Sequence, residues 1–188
     1  MNKKKVVITS ATRTAVGSLG RSLKNISGDD LGSSVISSSI KKSKIKNDDV
    51  DEVIMGQVLT GGAGQNPARQ AAMKSGIPKE KPAFVVNQVC GSGIRSIASG
   101  FQSIKSNDSK IIIAGGQESM SLAPHAIHLR DGKKLGDIEM TDTMIKDGLW
   151  DAFHGYHMGV TAENVATKFQ VTREDQDKFA LKSQEKAI

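Results

Sequence analysis

The stretch Phe84-Val-Val-Asn-Gln-Val-Cys-Gly-Ser-Gly-Ile-Arg-Ser-Ile97 changes its period at Cys90, the chain's only cysteine. Before it, Phe84, Val85 and Val86 make a strand-like apolar run; after it, Ile94, Ile97, Ala98, Phe101 and Ile104 recur at helical spacing. Cys90 therefore falls at a strand-to-helix turn. The unpaired N–H groups and partial positive charge of a helix start favour a thiolate, the form a nucleophile needs. Gly91 and Gly93 keep the approach open, because a residue without Cβ permits a sharp turn and the close passage of an acyl group. A lone cysteine has a second reading as a small buried hydrophobe, and position alone leaves both standing.

Outward from that turn, strands and helices alternate. Val6-Val-Ile8, closed by Thr9 and Ser10, predicts a buried first strand, with Arg13 in the loop after it. Leu31, Val35, Ile36 and Ile40 share one side of a helix over 30–40, and Ser27 with Asp30 has the spacing of its start. Val53, Ile54, Met55 and Val58 mark a strand within 51–59 that runs into Gly61-Gly62-Ala63-Gly64. Asn66 can cap the next helix, Pro67 suits its first position, and Gly76 stands where a left-handed stop is wanted. That glycine-rich loop lacks both the Gly-Lys-Ser/Thr ending of a P-loop and a Gly-x-Gly-x-x-Gly pattern, which argues against a phosphate cradle.

The helix after Cys90 should end at Ser106-Asn107-Asp108-Ser109. Ile111-Ile-Ile-Ala114 is apolar throughout, as expected of a strand at the centre of a sheet covered on both faces. The order predicts an α/β fold with a mostly parallel sheet covered by helices, ending near Gly115-Gly116. From Ser119 the chain turns polar and reads as a long excursion. A short helix is expected over 142–149, stopped around Gly148, and Trp150, Phe153 and Tyr156 then gather three of the seven aromatics, as core or as a pocket wall.

His125-x-x-His128 and His154-x-x-His157 have a spacing that metal ligands can use, but no carboxylate or cysteine completes either set, so singly hydrogen-bonded loop histidines are expected and no metal. Helical register returns over 161–169. Thr172-Arg-Glu-Asp175 opens a last helix as a capping box, whose pattern runs to Ile188 without a stop signal and so reads as an interrupted chain.

Composition sets outer bounds. The 188 residues suit one domain, or one domain plus part of another. The net charge of +6 comes from scattered Lys and Arg, with short runs only at Lys3-Lys4-Lys5 and around Lys41, Lys42 and Lys44. With 4% aromatics and no recognition motif, nucleic-acid binding is not expected, whereas a basic balance suits an anionic ligand such as a nucleotide thioester. A single cysteine precludes an internal disulfide and points to a reducing compartment. The N-terminal apolar run is too short for a signal peptide and no stretch approaches the ~20 apolar residues of a membrane span, so a cytoplasmic protein is expected.

The segment 85–97 resembles the nucleophile segment of the thiolases, in particular their acetyl-CoA acetyltransferase branch. Further segments resemble that family in the same order: Ala11-Thr-Arg-Thr-Ala-Val-Gly17, Gly64-Gln-Asn-Pro-Ala-Arg-Gln-Ala-Ala72, Ala114-Gly-Gly-Gln-Glu-Ser-Met120, and 147–164 with Gly155-Tyr-His-Met-Gly159. The resemblance implies a catalytic Cys90 that accepts an acyl group as a thioester, and Leu149, His157 and Met158 lining the acyl and pantetheine pocket. It implies acetyl-CoA, acetoacetyl-CoA and CoA as substrates without a separate cofactor, and a role in fatty acid metabolism. It also implies residues 1–118 as an N-terminal α/β domain and 119–188 as part of an inserted loop domain. Within that insertion, 123–130 and 135–137 resemble an arm that joins dimers into a tetramer.

Thiolase chemistry also needs a histidine in a Gly-His-Pro segment, a second cysteine in Cys-x-Gly-Gly-Gly and an asparagine in Asn-Glu-Ala-Phe, and none occurs here. One cysteine cannot be both nucleophile and separate acid/base, so the expectation is an N-terminal thiolase half with little or no turnover alone. A complementary C-terminal half is its expected partner. An inactive assembly module and a ketoacyl synthase-like condensing enzyme remain as alternatives, though 64–72 and His157-Met158 fit thiolase better.

Overall fold

The computed structural model describes residues 5–188. Lys3 and Lys4, two of the three residues of the first basic run, lie outside the described residues. The chain divides into a unit ending at Gly148 and a second, Leu149–Ile188.

In the first unit three parallel strands form a sheet in the order β2-β1-β3, with β1 at Glu52–Gly56, β2 at Ala83–Val86 and β3 at Ile112–Gly116. Helices α1 (Gly28–Ser43), α2 (Pro67–Lys74) and α3 (Ser92–Ser106) connect and cover them. Each helix carries the terminal chemistry its sequence advertises. Ser27 accepts from the Asp30 N–H at the start of α1, and Asn66 accepts from the Arg69 N–H ahead of Pro67 in α2. Gly76, just past α2, has φ +81°, and Asn107 closes α3 in the left-handed region at φ 64°.

The core lies between α1, α2 and one face of the sheet: Ile36, Ile40, Val50, Val53, Met55, Ala68, Ala71, Ala72 and Ile77 are all buried. Val53 and Met55 alternate with Ile54, which is 1% exposed and points to the α3 side. Each of these larger aliphatics contributes about 1.5–3 kcal/mol by leaving water. Small residues bring the helices close; a Cβ on Gly32 of α1 would stand 3.1 Å from the Ala71 Cβ of α2.

Two strand expectations are corrected. Val6–Ile8 is not in a strand, and Val7 and Ile8 are exposed. The stretch that follows it is held along α1: Ser10 Oγ donates to the Ser39 carbonyl, Thr12 Oγ1 to the Val35 carbonyl, and Lys42 Nζ to the Ala11 carbonyl. β3 lies at a sheet edge rather than the centre and is only half-buried, because β1 takes the central position. One physical fact underlies both: a strand needs neighbours on its edges, and the stretch before α1 and β3 have none facing each other.

α3 meets the sheet through a stripe of small buried residues, Ser92, Ser96 and Gly100, and leaves Ile94, Ile97 and Phe101 exposed. Beyond β3, β4 (His125–Ala126) pairs antiparallel with β5 (Thr141–Asp142), so that 127–140 projects as a largely exposed loop. The helix expected over 142–149 is a π-helical turn, Met144–Leu149.

In the second unit α4 spans Met158–Phe169 and α5 spans Arg173–Glu185, opened by the Thr172–Asp175 capping box. Trp150, Phe153 and Tyr156 do not form a core. Phe153 is 95% exposed, and Tyr156 stacks on His154 at 5.5 Å between ring centroids. Among the described residues, no helix is long and apolar enough to cross a membrane.

Candidate active site

Cys90 is exposed and sits between β2 and α3, one residue before the α3 cap at Gly91. The strand-to-helix turn read from the sequence is therefore present, and the buried-hydrophobe alternative is not. A short hydrogen-bond circuit shapes it. Ser92 Oγ accepts from the Gln88 N–H at 2.8 Å and donates to the Val89 carbonyl at 2.6 Å, while Asn87 Oδ1 accepts from the Val89 N–H at 2.9 Å. Between these anchors Val89 is held at φ 49°, a left-handed conformation that a β-branched residue rarely takes. Backbone strain thus sits immediately before the sulfur.

Glycines set how close α3 comes. A Cβ on Gly56 would stand 2.5 Å from the Ser92 carbonyl carbon and 2.7 Å from the Gly93 nitrogen, so the start of α3 rests on the end of β1 backbone to backbone. Ser96, fully buried, has its Oγ 2.7 Å from the carbonyls of both Gly93 and Gly115, its one proton shared between them, stapling the same turn of α3 to β3. A Cβ on Gly93 would meet nothing within 4 Å, which leaves open space beside the turn.

The carboxyl ends of all three strands converge here, the usual place for a ligand in an open parallel sheet. Beyond β3, Glu118 Oε2 accepts from the Val58 N–H at 2.8 Å and the Leu59 N–H at 3.3 Å, fixing the loop after β1. Asn87 Nδ2 reaches the Val58 carbonyl at 3.4 Å from the loop after β2. Burial raises the Glu118 carboxyl above the ordinary range even though backbone N–H groups of Val58, Leu59 and Ser119 pull the other way. Beneath it, Gln117 Nε2 donates to Gln57 Oε1 at 2.9 Å, and Gln57 Nε2 to the Leu59 carbonyl at 3.1 Å. A cleft of about 340 Å³ opens between Gln57, Thr60, Asn66, Pro67 and Asn87. Sequence reasoning missed Gln57, Asn87, Gln117 and Glu118. Their signal was available only as polar residues placed directly after each strand.

Leu149, His157 and Met158 belong to the second unit and are described within it. Trp150 pairs with His157 across an antiparallel bridge, and the Asp151 N–H donates to the Tyr156 carbonyl at 2.8 Å, bringing the three residues to one end of a closed loop. His157 caps α4: its Nδ1 accepts from the Gly159 N–H at 3.0 Å, which leaves the ring proton on Nε2. His154 Nδ1 lies 2.9 Å from Asp151 Oδ2, and His125 Nε2 lies 3.9 Å from Asp142 Oδ2. Among the described residues, no three His, Cys, Asp or Glu side chains are placed to hold a metal.

Comparison with known proteins adds the lineage. Residues 6–188 match the family model described as thiolase, N-terminal domain. The chain is 58% identical over 187 residues to an acetyl-CoA acetyltransferase of Rhizobium meliloti, covering 100% of this chain and 48% of the relative. It is 56% identical over 187 residues to an acetyl-CoA acetyltransferase of Shinella zoogloeoides, covering 100% of this chain and 47% of that one. It is 50% identical over 182 residues to a cytosolic acetyl-CoA acetyltransferase of Rattus norvegicus, covering 97% of this chain and 46% of that one. The chain thus spans about half the length of the curated relatives it matches.

Proposed function

This chain belongs to the thiolase family, matching its N-terminal domain, and from that premise we propose that it supplies the nucleophilic half of an acetyl-CoA C-acetyltransferase. The observation that carries the reading is Cys90: an exposed thiol one residue ahead of a helix cap, at the carboxyl ends of parallel strands, with open space beside it.

The Cys90 thiolate attacks the carbonyl carbon of an acyl-CoA thioester. The tetrahedral intermediate collapses with cleavage of the bond to the CoA sulfur, leaving the acyl group on Sγ and CoA, which takes up the proton Cys90 gave up, as the free thiol. Condensation to acetoacetyl-CoA next requires removal of an α-proton from a second acetyl-CoA, and thiolysis runs the sequence in reverse. No second cysteine exists in these 188 residues to act as that acid/base. The chain accordingly accepts an acyl group but turns over little or not at all by itself. Leu149, His157 and Met158 line the acyl and pantetheine pocket, with His157 offering an Nε2–H donor. Residues 1–118 form the catalytic α/β domain and 119–188 part of the loop domain.

The exposed Leu135, Ile138 and Met140 of the 127–140 projection, with Leu135 91% exposed, support an arm that a second dimer covers in a tetramer. The cytosolic rat relative supports a cytoplasmic setting, and the proposed substrates support a role in fatty acid metabolism.

Intact-mass measurement after incubation with acetyl-CoA, whose thioester alone is needed for the first step, tests the proposal. One acyl adduct is expected, lost in Cys90→Ser and released by added CoA. Robust Cys90-dependent thiolysis by the isolated chain, or no adduct, contradicts it.

A further inference from the structure

The backbone ladder of the three-stranded sheet stops at one level. Its last bonds run from the Gln57 N–H to the Val86 carbonyl at 3.1 Å and from the Gln117 N–H to the Gly56 carbonyl at 2.9 Å. One residue further along each strand, side chains stand in for backbone partners. Glu118 Oε2 accepts from the Val58 N–H at 2.8 Å, and Asn87 Nδ2 donates to the Val58 carbonyl at 3.4 Å. We propose that Glu118 and Asn87 are positioning residues for Cys90, acting through Val58 and Val89 rather than on the substrate. The inference rests on the reading of Cys90 as the nucleophile and adds the residues that hold it in place.

Strain next to the sulfur is what calls for such a hold. Val89, the residue before Cys90, sits at φ 49°, and a β-branched residue stays there only where its surroundings over-determine it. Its carbonyl is held from inside the turn, by the Ser92 N–H at 3.1 Å and the Ser92 hydroxyl at 2.6 Å. Its N–H is held by Asn87 Oδ1 at 2.9 Å. Asn87 is itself exposed, so packing does not fix its rotamer. The bond from its Nδ2 to the Val58 carbonyl does, and it also decides which end of the amide faces Val89. Val58 is in turn fixed by Glu118. The hold on Cys90 thus begins at the end of β3, crosses the end of β1 and arrives through the end of β2.

Glu118 is built as the fixed end of that relay. Its Oε2 takes the Val58 and Leu59 N–H groups together, at 2.8 and 3.3 Å, while its Oε1 is buried without a hydrogen-bond partner among the described residues. A buried oxygen left unpaired is a cost, and the carboxyl stays because its other oxygen holds two consecutive peptides still. Closing the loop after β1 would require only that one contact. The second contact to the same Val58 peptide, made by the side chain that also holds Val89, is what passes the constraint on to Cys90.

The test reads the midpoint of the pH–rate profile for iodoacetamide alkylation of Cys90 in the 188-residue chain, which reports how well the helix start favours the thiolate. Asn87→Ala and Glu118→Ala should each raise the midpoint by about half a unit or more toward that of a free cysteine, and the double variant by no more than the larger single shift, as one relay requires. Losing a negative charge would by itself lower the midpoint, so a rise in Glu118→Ala marks displacement of the thiol. Glu118→Gln keeps an acceptor for Val58 and should recover most of the shift. Lys74→Met weakens the fold away from the relay and should leave the midpoint in place. If Glu118→Ala loses its circular dichroism, Glu118→Asp, one methylene short of the two N–H groups, replaces it in the cycle. Shifts that add, a Glu118 variant with the parent's midpoint, or an equal shift in Lys74→Met would each overturn the assignment. These profiles involve no acyl-CoA, so a missing acyl adduct contradicts the proposed function and leaves the relay to stand or fall on its own readout.

Discussion

Gly56 and Ser92 touch backbone to backbone, and the contact decides where Cys90 can be. With a Cβ at Gly56 only 2.5 Å from the Ser92 carbonyl carbon, any larger residue drives the start of α3 off the end of β1. Gly56→Ala is expected to cost about 1–3 kcal/mol in urea unfolding and to slow alkylation of Cys90. Unchanged stability together with unchanged alkylation would show that the contact is slack.

Ser92 closes the turn from the other side by accepting from Gln88 and donating to Val89. Ser92→Ala removes both side-chain bonds from a half-exposed turn, in which the Val89 carbonyl still accepts from the Ser92 N–H, for an expected loss of about 0.5–1.5 kcal/mol. Equilibrium unfolding measures it, and Ser92→Thr, which keeps the hydroxyl, should recover part of the loss.

Val89 is held at φ 49°. Val89→Gly removes the steric cost of that conformation, roughly 1 kcal/mol or more, against a comparable loss of chain entropy on folding. Thermal unfolding should therefore show the variant as stable as the parent or better. A loss beyond about 1 kcal/mol would mean that the valine side chain matters more than its backbone.

Much of this was legible in advance because it is local. Ser27, Asn66, Pro67, Gly76, Asn107 and the Thr172–Asp175 box each act within a few residues of their own position, and each helix end falls where they place it. Cys90 at the strand-to-helix turn belongs to the same class. What escaped the sequence depends on partners far along the chain. Val6–Ile8 has a strand's residues but no strand beside it, and Ile112–Ala114 has the apolarity of a central strand but an open edge. Trp150, Phe153 and Tyr156 suggested a core by proximity in sequence, yet Phe153 faces solvent. Gly56 gave no sign that a helix would press on it, nor Glu118 that it would be buried against the loop after β1.

Glu118 gives a pH signature. Its carboxyl is raised by burial, so its contribution to stability is fully present below the unfolded value near 4.5 and is lost as pH rises through the folded value. Glu118→Gln removes that dependence while keeping an acceptor for Val58 and Leu59. The stability of the variant relative to the parent should therefore improve between about pH 4 and pH 7, read from urea midpoints. A difference that stays flat or moves the other way contradicts the assignment.

Lys74 joins the end of α2 to the start of α1 through Asp29 and Asp30, each at 2.5 Å. Burial works to raise Asp29, but the hydrogen bonds from Lys74 and Ser27 outweigh it and leave the carboxyl lowered. That stability is present above the unfolded value of about 3.8 and is lost as pH falls through the folded one. Lys74→Met should cost about 1–2 kcal/mol at pH 7, the scale of a hydrogen bond to a charged group in a partly exposed pair, and less at pH 3. Equal cost at both pH values would show that the pair contributes packing only.

The most direct measurement is the rate at which iodoacetamide alkylates Cys90 at pH 7, set beside the rate for an unstructured cysteine peptide. A thiol placed at the start of α3 for nucleophilic attack should react several-fold faster than the peptide and lose that advantage when the chain is unfolded in urea. A rate no greater than the peptide's, unchanged by unfolding, would contradict the role assigned to Cys90.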